Sequence, residues 1–176
     1  MTRADFHYRR AVSGDITRIV ALVNSAYRGD SSRAGWTTEA DILDGQRVDA
    51  EEIASLIAKP DALILLRAEG EKITGTAYLE KQDARAAYLG MLVIAPPLQG
   101  RGFGHELMRE AERWAQKEWS AERMRMLVIM ARHELIAYYE RRGYRRTGAT
   151  EPFPTDPRFG LPKVSGLYLV ALEKSL

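Results

Sequence analysis

The chain has 176 residues, of which 45 % are apolar and 28 % charged, with a formal net charge of +2 and no cysteine. This length suits one domain with a real core, here residues 1–176. The missing cysteine excludes disulfides, thiolate metal sites and a cysteine nucleophile, and accords with a reducing compartment. Acids and bases interleave along most of the chain, which does not argue for nucleic acid. No run approaches the roughly 20 apolar residues of a membrane span, and the N-terminal residues lack an apolar signal core. A cytoplasmic protein with no membrane or nucleic-acid partner is the expectation.

Residues 6–12 form a short strand candidate, and Ser13-Gly14-Asp15 is a turn that caps a helix. Ile16, Ile19, Val20, Val23 and Tyr27 then share one helical face. Residues 28–36 are a polar break. From Glu39 to Glu52 the chain is acidic, with Arg47 as the lone base. Asp49 caps a second helix that stops before Pro60. Residues 62–68 and 72–82 read as a hairpin, and Asp83-Ala84-Arg85 turns into a third strand.

That third strand, Tyr88 to Ile94, is apolar on both faces apart from Gly90, as a covered central strand should be. Pro96 and Pro97 end it, since neither can donate a ladder hydrogen bond. Gly100, Gly102 and Gly104 follow, and Leu107, Met108, Ala111, Trp114 and Ala115 then recur at helical spacing up to about Trp119. A glycine turn that feeds a helix N-terminus gathers unpaired N–H groups and the positive end of the helix dipole, which makes an anion site. The turn is not a P-loop, because His105 and Glu106 stand where Lys and Ser or Thr belong. It is not a dinucleotide fingerprint either: the position of the third small residue falls on His105 or Leu107.

Residues 124–130 form another apolar strand. His133 to Arg142 is a short helix closed by Gly143. Tyr144 to Thr147 can start a strand, residues 151–162 carry four prolines and are expected to be irregular, and Leu167 to Leu172 is a final strand. The order is therefore β-α-α-β-β-β-α-β-α-β-β. Tight turns make the first half antiparallel, and the strand–helix–strand unit from Tyr88 to Met130 must be a parallel crossover. The fold class is α/β, a central mixed sheet flanked by helices on both faces.

Gln99-Gly100-Arg101-Gly102-Phe103-Gly104 matches Gln/Arg-x-x-Gly-x-Gly/Ala. It resembles the acetyl-CoA motif of the GNAT superfamily of N-acyltransferases. Tyr139-Glu140-Arg141-Arg142-Gly143-Tyr144 resembles the second signature of that family, and the order of elements is also similar. The resemblance implies acetyl-CoA as co-substrate, no metal, and a small-molecule or peptide amine as acceptor; a homodimer is an allowed assembly. It implies that the backbone of Leu92 and Ile94 pairs with the pantetheine arm where two parallel strands splay after Ile94. Val93 would support the oxyanion. The N–H groups of Gln99, Gly100, Arg101, Gly102, Phe103 and Gly104 would hold the pyrophosphate, with Arg101 and His105 reaching phosphates. Arg132 stands where the family often has an asparagine, and is carried as a cofactor residue.

Tyr139 is implied as the general acid. A phenol with a solution pKa near 10 can protonate a thiolate whose conjugate acid lies near 8 to 9. Glu80 is the leading general base and His133 the second. The resemblance places the acceptor groove in residues 27–52 and 151–165, where two features point in opposite directions. The acids from Glu39 to Glu52 would attract a cationic amine, whereas Arg158 would recognise a carboxylate. Two further classes compete with the enzyme: a regulator that binds acyl-CoA without catalysis, and a phosphate-binding domain that uses the glycine turn alone.

Overall fold

The computed structural model describes residues 6–176. Among these residues nine strands and five α-helices follow in chain order. They are β1 (Phe6–Arg10), α1 (Ile16–Tyr27), α2 (Gly29–Arg33), β2 (Leu43–Asp44), α3 (Ala50–Ala58), β3 (Ala62–Glu69) and β4 (Lys72–Lys81). Then come β5 (Ala86–Ile94), α4 (Phe103–Trp119), β6 (Arg123–Ile129), α5 (His133–Glu140), β7 (Arg145–Pro152), β8 (Leu161–Pro162) and β9 (Tyr168–Ser175).

Seven strands form one sheet in the order β1-β3-β4-β5-β6-β9-β7. Every neighbouring pair is antiparallel except β5 and β6. The mixed sheet expected from the order of elements is therefore present, with α4 as the crossover between the two parallel strands. Alternation along β3 explains the two layers of core. Leu63 and Leu65 pack with Leu107, Met108 and Ala111 of α4 and Ile136 of α5. Ile64 and Leu66 pack on the opposite face with Ile19 and Val23 of α1 and Ile53 of α3. Burial on both faces is why β3 to β5 are nearly continuous apolar runs.

Local chemistry sets the ends of the helices. Asp49 caps α3 by accepting from the Glu52 N–H at 2.8 Å. Lys59 leaves the helix with extended backbone because Pro60 follows. α5 ends at Glu140, two residues earlier than expected, and Gly143 closes the chain reversal at φ 95°.

Several expectations need correction. Part of the polar break is a short helix, α2. Residues 151–162 are not wholly irregular: β7 runs to Pro152, and β8 pairs with β2 in a separate two-stranded sheet. The prolines permit this because β7 is an edge strand and Pro152 is its last residue. The largest correction concerns where the sheet opens. β5 pairs with β6 only from Ala86 to Tyr88 against Arg123 to Arg125, so the strands separate well before Ile94. Among the described residues no helix is long and apolar enough to cross a membrane.

Candidate functional site

The site lies where β5 and β6 part. Two features of β5 open it. The pairing with β4 slips between Thr76/Val93 and Tyr78/Gly90, so β5 carries an extra residue there, and Met91 takes φ 49°. This is a β-bulge, which bends the strand and breaks its ladder. Thr76 Oγ1 donates to the displaced Met91 carbonyl at 3.2 Å and holds the bulge. Beyond Tyr88 the β6 side of β5 has no strand partner among the described residues.

A first cavity of about 280 Å³ fills this opening on the side of the glycine turn. Leu92, Val93, Ile94, Gln99, Gly100, Gly102 and Gly104 line it, with Tyr138 and Tyr139 from α5. Gly100 and Gly102 adopt φ 75° and 88°, which side chains rarely tolerate. Gly102 also caps α4. Among the described residues, the N–H groups of Gly100, Arg101, Gly102, Phe103 and Gly104 donate to no protein acceptor, whereas His105 and Glu106 donate to the Gly102 carbonyl. A Cβ on Gly104 would stand 3.3 Å from the Tyr138 hydroxyl, so glycine keeps this part of the cavity open.

The lining is strongly cationic. Arg132, Arg141 and Arg142 face the cavity, and no carboxylate does among the described residues. Arg142 lies 3.4 Å from the centroid of the Tyr138 ring and donates to the Tyr138 carbonyl at 2.8 Å. Its buried Nε has no partner among the described residues. Free N–H groups, a helix N-terminus and three arginines form a site for a multiply charged anion such as a pyrophosphate.

A second cavity of about 300 Å³ lies on the other side of the opening. It is bounded by β5, β6, the chain after α1 and the segment around Phe153 and Phe159. The two cavities share Tyr27, Leu92, Arg132, Leu135 and Tyr139. Tyr139 is 7 % exposed and stands between them. Burial pushes its phenol well above the ordinary value, with further upward pressure from Tyr27; only Arg132 among the leading influences pulls it down. The group therefore stays protonated at neutral pH and can act as a donor.

The remaining site residues divide. Gln99 is engaged: its side chain donates to the Ile94 carbonyl at 2.9 Å and accepts from the Trp36 N–H at 2.7 Å. Its own N–H points to Pro96, so it is not free for phosphate. The Leu92 carbonyl accepts from the Tyr27 hydroxyl at 3.5 Å. Arg101, Phe103 and His105 line neither cavity. Phe103 is sandwiched between Arg101 and the buried Arg67, at 5.5 and 4.2 Å. Burial lowers the His105 pKa, and Arg142 and Arg109 lower it further.

Glu80 is not brought to the site. It pairs with Lys59 at 2.7 Å and accepts from the Tyr78 hydroxyl at 2.6 Å, and it lines neither cavity. Burial pushes its carboxyl up, but these two hydrogen bonds outweigh that and leave it below the usual range. His133 is exposed and also lines neither cavity. Arg158 is exposed, pairs with Asp156, and lines neither cavity. Glu39 is buried between Arg28 and Arg132, with Arg132 Nη1 at 2.8 Å, and both its oxygens are occupied. It is not available to attract a cationic amine. The Arg132 guanidinium also donates to Thr37 at 2.7 Å. Sequence reasoning singles out none of Arg142, Trp36, Arg47 and Glu151, which line the cavities. Arg142 falls within the second signature, and the other three lie in residues 27–52 and 151–165, where the resemblance places the acceptor groove; Tyr138 is the competitor of Tyr139 beside the same signature.

A model of the acetyltransferase (GNAT) family matches residues 20–144. The chain belongs to the GNAT acetyltransferase family. No curated protein sequence matches it. Solved GNAT structures share the fold at low identity. The ribosomal-protein-S18-alanine N-acetyltransferase from Escherichia coli is 13 % identical, with a TM-score of 0.69 over 97 % of this chain and 94 % of that one. A GNAT acetyltransferase from Elizabethkingia anophelis with acetyl-CoA bound is 14 % identical, with a TM-score of 0.64 over 99 % of this chain and 100 % of that one. A chimera of Vibrio cholerae SpeG and hSSAT, a spermidine N-acetyltransferase, is 16 % identical, with a TM-score of 0.68 over 97 % and 95 %. The two segments that resemble GNAT signatures border the first cavity, Gln99, Gly100, Gly102 and Gly104 from one and Tyr139, Arg141 and Arg142 from the other.

Proposed function

We propose that this GNAT protein transfers an acetyl group from acetyl-CoA to a primary amine, with Tyr139 as general acid. The observation that carries the reading is the place of Tyr139 between two cavities, one of them built for a polyanion. The residues present fit the co-substrate. The free N–H groups from Gly100 to Gly104 and the arginines Arg141 and Arg142 would hold the phosphates. The β6 side of β5, open beyond Tyr88, would align the pantetheine arm at Leu92. The relative from Elizabethkingia anophelis, which carries acetyl-CoA, supports the assignment.

Acetyl-CoA supplies an activated carbonyl and a thiolate leaving group. The protein supplies position and a proton. The second cavity presents the neutral amine to the carbonyl, holding both reactants in one geometry. The N–C bond forms and the C–S bond breaks. The sulfur leaves with the bonding electron pair and takes the phenolic proton of Tyr139. The surplus amine proton passes to water, and water reprotonates the phenolate. The Tyr139 phenol is protonated at neutral pH and so has a proton to give when the thiolate forms.

The donor site is tested by thermal shift. Acetyl-CoA binds only the folded protein and should raise the melting temperature by mass action. Gly104→Glu places a side chain and a negative charge where the cavity is narrow, and should abolish the shift. A shift of unchanged size in Gly104→Glu would move the donor to another site.

A further inference from the structure

We infer that the acceptor is an amine that also carries a carboxylate, an α-amino acid or a close analogue, and that Arg47 binds that carboxylate. The inference rests on the acetyl-transfer reading, which makes the second cavity the acceptor's. The charges lining this cavity are Arg28, Arg47 and Arg132 against Glu39 and Glu151. Glu39 is fully committed: Arg28 and Arg132 hold its two oxygens in a buried cluster. That cluster keeps a net positive charge, because two guanidinium groups face one carboxylate. Arg28 and Arg132 are each 6 % exposed, and each retains a buried Nε–H without a partner among the described residues. A polyamine entering here would bring cations against these arginines, with only Glu151 to receive them.

Arg47 is the arginine with capacity to spare. Its backbone is fixed by the N–H bond to Asn24 Oδ1 at 2.7 Å. Its guanidinium lies over the Tyr27 ring, 5.6 Å from the centroid. Its one ion pair among the described residues is with Glu52 at 4.0 Å, which is too long for a hydrogen bond. A planar guanidinium presents paired donors that match a carboxylate. Glu151 lines the same cavity and forms no ion pair among the described residues, so it can receive the ammonium end. Phe153, Met126 and Leu169 supply an apolar wall for a side chain. Charges of both signs beside an apolar wall match a zwitterionic amino acid better than a polyamine. Transfer then follows the steps above, once the ammonium has given its first proton to water.

The test pairs L-leucine and L-phenylalanine with their carboxamides, which differ only in the carboxylate, and adds spermidine. Two readouts are taken: thiol release with acetyl-CoA, and the melting shift each compound gives with and without free CoA, where no transfer occurs. The acids should exceed their amides in kcat/KM by about 10- to 100-fold, the range of a charge-assisted hydrogen bond, and should give the larger melting shift. Arg47→Gln should remove the preference in both readouts and leave the KM of acetyl-CoA unchanged; Arg47→Lys should restore part of it. Amides or spermidine used as well as the acids would overturn the inference. So would a preference that survives Arg47→Gln, or no response to either acid while acetyl-CoA still shifts the melting temperature. Failure of the donor reading looks different: acetyl-CoA and CoA then give no shift, while the acid-over-amide shift without CoA still reports on the cavity.

Discussion

Replacing Glu39 with glutamine should destabilise this protein far more than an ordinary polar substitution. The carboxylate is 5 % exposed and sits between Arg28 and Arg132, each 6 % exposed. Removing its charge leaves two buried guanidinium groups facing each other without a counter-ion. Breaking a buried ion pair from one side costs about 3–5 kcal/mol, mostly through the charge left unpaired. For a domain of this size each kcal/mol lowers the melting temperature by about 2–4 °C, so a fall of roughly 6–20 °C is expected. Scanning calorimetry on wild type and Glu39→Gln measures it. The double variant Glu39→Gln with Arg28→Met removes one surplus charge and should recover part of the loss. A fall below about 2 °C in the single variant would refute the reasoning, because the pair would then behave as a solvated surface bridge.

Two further predictions concern pH. Asp15, 1 % exposed, is held to a pKa of about 2, well below the ordinary carboxylate range, chiefly by hydrogen bonds from Arg9 at 2.7 and 2.9 Å. A folded pKa below the unfolded one means stability present above pH 4 and lost as pH falls toward 2; urea titrations should show about 2 kcal/mol lost in that window by wild type but not by Asp15→Asn. The upward shift of Tyr139 predicts that kcat, with saturating substrates, has no alkaline limb below about pH 10. A limb between pH 8 and 9 that disappears in Tyr139→Phe would show the phenol to be more acidic than its burial implies.

Much of the fold was legible because it follows from burial. β3, β4 and β5 are apolar on both faces since helices cover both, and α4 shows its stripe because one face meets the sheet. The glycine turn was legible because positive φ at Gly100 and Gly102 demands that residue type. β7 was legible only at its start, near Tyr144 to Thr147, because all its residues are exposed at the sheet edge and leave no apolar alternation. The early parting of β5 and β6 depends on a bulge at Met91, and no local sequence rule marks a methionine for φ 49°. Charged side chains were the least legible. Glu39 and Arg132 lie far apart in the chain but meet in the core, and Glu80 finds Lys59 and Tyr78 rather than the cavity. Tertiary partners decide such roles, and the sequence alone does not say who they are.

The most direct test of the account is the turnover of Tyr139→Phe with saturating acetyl-CoA and amine, beside Tyr138→Phe. The first variant keeps the ring between the two cavities, so the acetyl-CoA melting shift should stay. It lacks the proton for the leaving thiolate, so kcat should fall by about 10²- to 10⁴-fold. Tyr138 lines the first cavity but not the second, so its phenol does not stand where the two meet and its variant should lose much less. Full kcat in Tyr139→Phe would contradict the assignment of the general acid, and with it the reading of the space between the cavities as the reaction centre.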